Sequence, residues 1–176
     1  AAISAEALPQ LNDFDTLSLV NIAWSFAKLA VRDRPLMHAI SAASRKLICL
    51  FSSRHLANIA WSLAARGWHD RPLLDAISAA ASARLAHFAP QNLSNTAWAF
   101  AKLAFLHCPL LNATAAAARP LIRSFDNQGL SNLAWSWATC QLCDAPLLDA
   151  IAAAAIPKIA AWYHQNLANT AWAFAK

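Results

Sequence analysis

Residues 91–104 read QNLSNTAWAFAKLA, and their apolar members Leu93, Ala97, Trp98, Phe100, Ala101 and Ala104 recur at helical spacing. The stretch predicts an amphipathic α-helix. Its inner motif, Asn-x-Ala-Trp, occurs five times, at 21–24, 58–61, 95–98, 132–135 and 169–172, so each Trp lies 37 residues after the last. Other columns keep the same step. Leu19, Leu56, Leu93, Leu130 and Leu167 stand two residues before the Asn, and Phe14, Phe51, Phe88, Phe125 and Trp162 form a second column. Pro35-Leu36, Pro72-Leu73, Pro109-Leu110 and Pro146-Leu147 form a third. Independent columns holding one period without an insertion mark a tandem repeat.

Each unit reads as two helices. The first covers the Asn-x-Ala-Trp motif and ends before a short link, such as Leu106, His107 and Cys108. The second opens at the proline, whose missing N–H costs nothing where first-turn donors lack partners anyway. Asp70 is placed to cap that start in the second copy. Pro9, Pro120 and Pro157 share a register late in the second helix, where Lys46 and Ala83 stand in the other copies. A proline there removes a helical hydrogen bond, and tandem copies share a backbone, so a break is expected in every copy.

The fold expected is all-α: a right-handed α-solenoid of tandem 37-residue helix-turn-helix repeats. The units are 16–52, 53–89, 90–126 and 127–163, with a partial second helix over 1–15 and a partial first helix over 164–176. Neither end carries a polar capping unit, so the array is expected to continue on both sides.

Composition agrees. Of 176 residues, 59% are hydrophobic, only 13% are charged and two are glycine, which favours helices packed through small side chains. It also excludes disorder. No apolar run reaches the roughly 20 residues a membrane span needs. Four cysteines without repeat spacing give no disulfide framework and suit a reducing compartment.

Candidate binding residues follow from the first helices. Ser18, Asn21, Ser25 and Lys28 are spaced i, i+3, i+7 and i+10 and share one stripe. The matching positions are His55, Asn58, Ser62 and Ala65; Asn92, Asn95, Ala99 and Lys102; Gly129, Asn132, Ser136 and Thr139; Asn166, Asn169, Ala173 and Lys176. Amides recurring once per unit are groups that can read base edges. The repeated Asn admits two readings. It either bonds the neighbouring repeat's backbone as a ladder, or contacts a repeating ligand element while the position of Ser18, His55, Asn92, Gly129 and Asn166 discriminates. The repeated Trp, flanked by Ala and Phe, is assigned to the core. Trp68, in an inter-helix loop, is expected as the exposed aromatic.

Charge permits a nucleic-acid partner. Fourteen Lys and Arg against nine Asp and Glu give +5, a balance that suits phosphate contact. Arg32, Arg34 and Arg71 gather in the loops, where Asp33, Asp70 and Asp144 counter them.

The segments at 92–104 (NLSNTAWAFAKLA) and 55–64 (HLANIAWSLA) resemble the first-helix signature of octatricopeptide and heptatricopeptide repeat proteins. Relatives of that group include RAP-domain proteins, FAST-kinase-like proteins and components of an RNA-editing substrate-binding complex. The resemblance covers essentially the whole chain. It implies an α-solenoid that binds single-stranded RNA in a mitochondrion or plastid, in processing, stability, translation or editing, with protein partners in a ribonucleoprotein complex. The family's Gln-Asn lead-in matches Gln91-Asn92 and Gln165-Asn166, whereas Leu17-Ser18, Arg54-His55 and Gln128-Gly129 depart from it.

An enzyme is not expected. The six His are scattered, no glycine-rich phosphate loop occurs, and the carboxylates do not pair. Cys140-x-x-Cys143 with His107 and Cys108 has the ligand types of a zinc site, but without a second CxxC free thiols are favoured and no cofactor is expected. The rival to RNA is a protein-binding scaffold of the tetratricopeptide, HEAT or armadillo kind, which the low charge density would suit.

Overall fold

The computed structural model describes residues 10–31 and 33–176, and among these the chain is helical throughout, without a strand. Nine α-helices run as α1 (Thr16–Lys28), α2 (Arg34–Leu47), α3 (Ser53–Ala65), α4 (Arg71–Ser82), α5 (Pro90–Lys102), α6 (Cys108–Ala118), α7 (Asn127–Thr139), α8 (Ala145–Ala155) and α9 (His164–Phe174). The odd-numbered helices start at 16, 53, 90, 127 and 164, the same step of 37 as the sequence columns. Most of the partial second helix expected over 1–15, with Pro9, lies outside the described residues; what is described there is a 3-10 turn, Leu11–Asp13.

Side chains start the helices where the sequence places acceptors. Asp15, Ser52 and Asp126 accept from the amides of Ser18, His55 and Gly129 at 2.7, 3.2 and 2.7 Å. The even helices carry proline in their first two positions. Their caps are Asp33, Asp70 and Asp144, which accept from Leu36, Leu73 and Leu147 at 3.0, 3.0 and 2.9 Å. In α6 His107 Nδ1 takes the same place, 3.2 Å from the Leu110 amide.

The first helices of the four complete units end alike. Ala30, Gly67, Ala104 and Gln141 have φ of 56°, 61°, 50° and 54°. The next amides, of Val31, Trp68, Phe105 and Leu142, reach back to the carbonyls of Phe26, Leu63, Phe100 and Trp137 at 3.1, 2.8, 3.0 and 3.0 Å. This is a Schellman turn, repeated. Each second helix breaks into a 3-10 turn: Ile48–Leu50, Leu85–His87, Arg119–Ser124 and Ile156–Ala161. The break occurs beside Lys46 and Ala83 as well as at Pro120 and Pro157, so proline is not its only cause.

The first helix of each unit packs on its own second helix, and like helices stack from unit to unit. α1 lies on α3, α3 on α5, α5 on α7 and α7 on α9, while α2 lies on α4 and α4 on α6. The core runs between the two layers. It holds Leu19, Leu56, Leu93 and Leu130 from the first helices, Leu36, Leu73, Leu110 and Leu147 from the second, and Phe51, Phe88, Phe125 and Trp162 from the turns. Each such side chain contributes about 1.5–3 kcal/mol on burial. Two cations tie units together: the Arg84 guanidinium donates to the carbonyls of Phe51 and Cys49, the latter at 2.6 Å. Lys158 Nζ donates to those of Arg123 and Phe125 at 3.1 and 2.9 Å. These two basic residues are spent on neighbouring carbonyl ends.

Candidate nucleic-acid interface

A groove of about 420 Å³ crosses α1, α3, α5 and α7, lined among others by Trp24, Lys28, Asn58, Trp61, Asn95 and Asn132. Arg54, Gln91 and Gln128 extend it on one side, with Asn92, Gly129 and Asp126. The neighbouring concavity, about 400 Å³, takes Gln128, Tyr163, Gln165 and Asn166. Thus Lys28, Asn58, Asn92, Asn95 and Asn132 of the predicted stripe come together, and Asn166 lies next to them. Ser18, Asn21, Ser25, His55, Lys102, Asn169 and Lys176 do not line the main groove.

The repeated tryptophan is only partly core, contrary to expectation: Trp98 and Trp135 pack against the core, but no member of the column is fully buried. Trp24 and Trp172 are each 43% exposed, and Trp61, Trp98 and Trp135 are half-buried. Trp61 and Trp98 stack with ring centroids 6.3 Å apart and planes 26° from parallel. Lys28 Nζ sits 5.5 Å from the Trp24 ring and 5.3 Å from that of Trp61, bridging two units, and Lys176 lies 5.8 Å from Trp172. The reason is helical geometry: Trp stands three residues after the Asn and four before the Lys position, so it belongs to their face. That spacing was the available signal, and the apolar neighbours outweighed it.

The serine column is a second correction. Ser62 and Ser136 are fully buried, and their hydroxyls donate to the carbonyls of Asn58 and Asn132 at 2.7 and 2.6 Å. Four residues beyond the Asn is roughly 40° further round the helix, which turns this column into the seam where successive first helices pack. Ser25, at the first unit, is half-buried.

The asparagine ladder is absent. Among the described residues no side-chain amide of Asn21, Asn58, Asn95, Asn132 or Asn169 bonds another protein group. Inter-unit bonds come from other groups, such as Ser131 Oγ to the Asn166 carbonyl at 3.2 Å. Two members of the variable position are occupied locally. Asn92 Oδ1 accepts from the Ala89 amide at 3.2 Å, and the His55 ring packs edge-on against Phe51, centroids 5.9 Å apart. The Ser18 hydroxyl and amide bond Asp15 and, with His55 nearby, hold its carboxyl below the usual range.

Trp68 is half-buried, its ring in edge contact with His38 at 4.9 Å, whereas Trp137 is fully buried. The loop carboxylates Asp70 and Asp144 are engaged as helix caps rather than set against the arginines. Arg32 lies outside the described residues. Among those residues no group of three or more His, Cys, Asp or Glu is gathered to hold a metal, so His107, Cys108, Cys140 and Cys143 do not form one. Cys49, Cys108 and Cys143 are exposed free thiols; Cys140 is buried, and burial, with Cys108 nearby, raises its thiol above the ordinary value. No helix of the described residues is long and apolar enough to cross a membrane. Compared with known protein families and with curated proteins, the chain matches none.

Proposed function

We propose that the chain forms a right-handed α-solenoid of 37-residue units whose first-helix groove binds single-stranded RNA. One observation carries the reading: unpartnered amides of Asn58, Asn95 and Asn132 share a groove with Trp61, which stacks on Trp98 and is bridged by Lys28 to Trp24. Flat π-faces accept any base, amides accept and donate at base edges, and lysine neutralises phosphate. Asp126 at the rim is engaged with the Gly129 amide, which lessens its repulsion of a phosphate. The organellar setting, and a role in processing or editing beside protein partners, are supported by the sequence resemblance to octatricopeptide-type repeats.

The test is a salt titration of binding to a labelled single-stranded RNA by anisotropy. Affinity should fall with salt, and Lys28→Ala with Arg54→Ala, both lining the groove, should lower the slope by about 0.7 for each phosphate no longer neutralised. Trp61→Ala should weaken binding by about 1–3 kcal/mol if a base stacks there. No RNA affinity at low salt would sink the proposal. A salt-insensitive peptide ligand seated on the same residues would give the groove to a protein partner instead.

A further inference from the structure

A third concavity, about 600 Å³, lies away from the groove, between α2 and the loop that leads into α4. Arg34, His38 and Arg45 stand at i, i+4 and i+11 on α2, so they share one face over about 16 Å of helix. Trp68, His69 and Arg71 of the next unit's loop form the opposite wall. Three arginines, two histidines and a tryptophan therefore line one cavity.

Its lining sets three arginines against one carboxylate. Asp70 is the one carboxylate among the lining residues, and its Oδ1 accepts the Leu73 amide at 3.0 Å. Among the described residues Arg34 and Arg45 make no hydrogen bond or ion pair within the protein. Arg71 rests on the Phe105 ring at 5.9 Å, an arrangement that leaves the donors in the plane of the guanidinium available. The walls are held in place: His38 packs on Trp68 at 4.9 Å, and His69 Nδ1 lies 3.0 Å from the Gly67 carbonyl.

We infer that this cavity binds a nucleoside phosphate, with its phosphate on Arg34, Arg45 and Arg71 and its base against Trp68. Guanidinium forks match phosphate oxygens in pairs, and an indole beside them offers a base its π-surface. The volume lies within the usual range for small-ligand sites, about 300–1,000 Å³. A free nucleotide and the phosphorylated end of an RNA strand present the same chemistry. The site draws on α2 and the loop before α4, whereas the groove draws on the first helices, so it stands independently of the RNA reading.

Calorimetric titration of the whole chain with AMP and ADP, and with one short oligoribonucleotide bearing either a 5′-phosphate or a 5′-hydroxyl, tests the inference. One saturable site is expected for the nucleotides, and the strand, which the groove also takes, is read by the increment its 5′-phosphate adds. Arg34→Ala/Arg45→Ala should weaken the site at least about tenfold, since the variant removes two charged donors to the phosphate. Arg119→Ala, an exposed basic residue lining neither concavity, should leave it unchanged. Arg34 and Arg45 are exposed, and an unchanged circular dichroism spectrum would certify the fold of the double variant. Binding of free nucleotides assigns that source, and preference for the 5′-phosphorylated strand with nucleotides silent assigns the strand end. Four results would overturn the inference: no binding of any phosphate probe at low salt, binding that survives the double variant, indifference of the strand to its 5′ group with nucleotides silent, or equal binding of polyglutamate. If the groove fails and this site binds, the two proposals separate cleanly.

Discussion

Asn58 and Asn132 keep free amides while the hydroxyls four residues on, Ser62 and Ser136, turn inward and close on the asparagines' own backbone carbonyls; at Asn95 that position is Ala99, which has no hydroxyl. The contrast shows what a residue count along a helix can resolve. The Asn and Lys columns were legible as a polar face, but Ser and Trp, roughly 40° and 60° to either side of the Asn, were assigned by polarity instead of angle. Polarity failed at both. A small hydroxyl satisfies itself on its own helix and tolerates burial, and an indole can lie half-buried in a groove. The same scale yields a prediction for the thiols. Burial disfavours the Cys140 thiolate, and the thiolate is the reacting species. Alkylation at mildly alkaline pH, followed by peptide mass spectrometry, should modify Cys49, Cys108 and Cys143 first and Cys140 last. Equal rates at all four would show that Cys140 is not shielded as described.

At the scale of the element, the turn that closes each first helix invites a within-chain comparison. Four residues in one register adopt the left-handed backbone, yet only Gly67 is suited to it. Ala30, Ala104 and Gln141 carry a Cβ there, at a cost of about 1–2 kcal/mol each. An added Cβ at Gly67 would meet nothing within 4 Å, so Gly67→Ala isolates the backbone term. It should destabilise the chain by about 1 kcal/mol in urea, and Ala104→Gly should stabilise it by a similar or smaller amount after the unfolded state's entropy is counted. Changes of the same sign in the two variants would overturn this account. The turn itself could not be read from the sequence, since alanine and glutamine give no glycine signal. The starts of the second helices could be read, because Asp-x-Pro announces them, and so could the late break, from Pro120 and Pro157. Even there His107 was overlooked as the cap of α6, a task carboxylates perform in the described copies on either side.

Over the whole molecule, each first helix packs on the first helix of the next unit, so stability should vary along the chain instead of being shared evenly. α5 buries seven of its residues, whereas α9 buries Ala173 alone. Amide hydrogen exchange should accordingly be slowest in α5 and in its neighbours α3 and α7, and fastest in α9. Uniform protection from α1 to α9 would mean that the units unfold as one. The paired indoles of Trp61 and Trp98 add an optical property to this layout. Two neighbouring chromophores inclined to one another couple their excited states and should give an exciton couplet in the circular dichroism spectrum, one that Trp98→Phe abolishes. A strand that slips between the rings or tilts them would change that couplet directly, so the groove carries its own label-free reporter of occupancy.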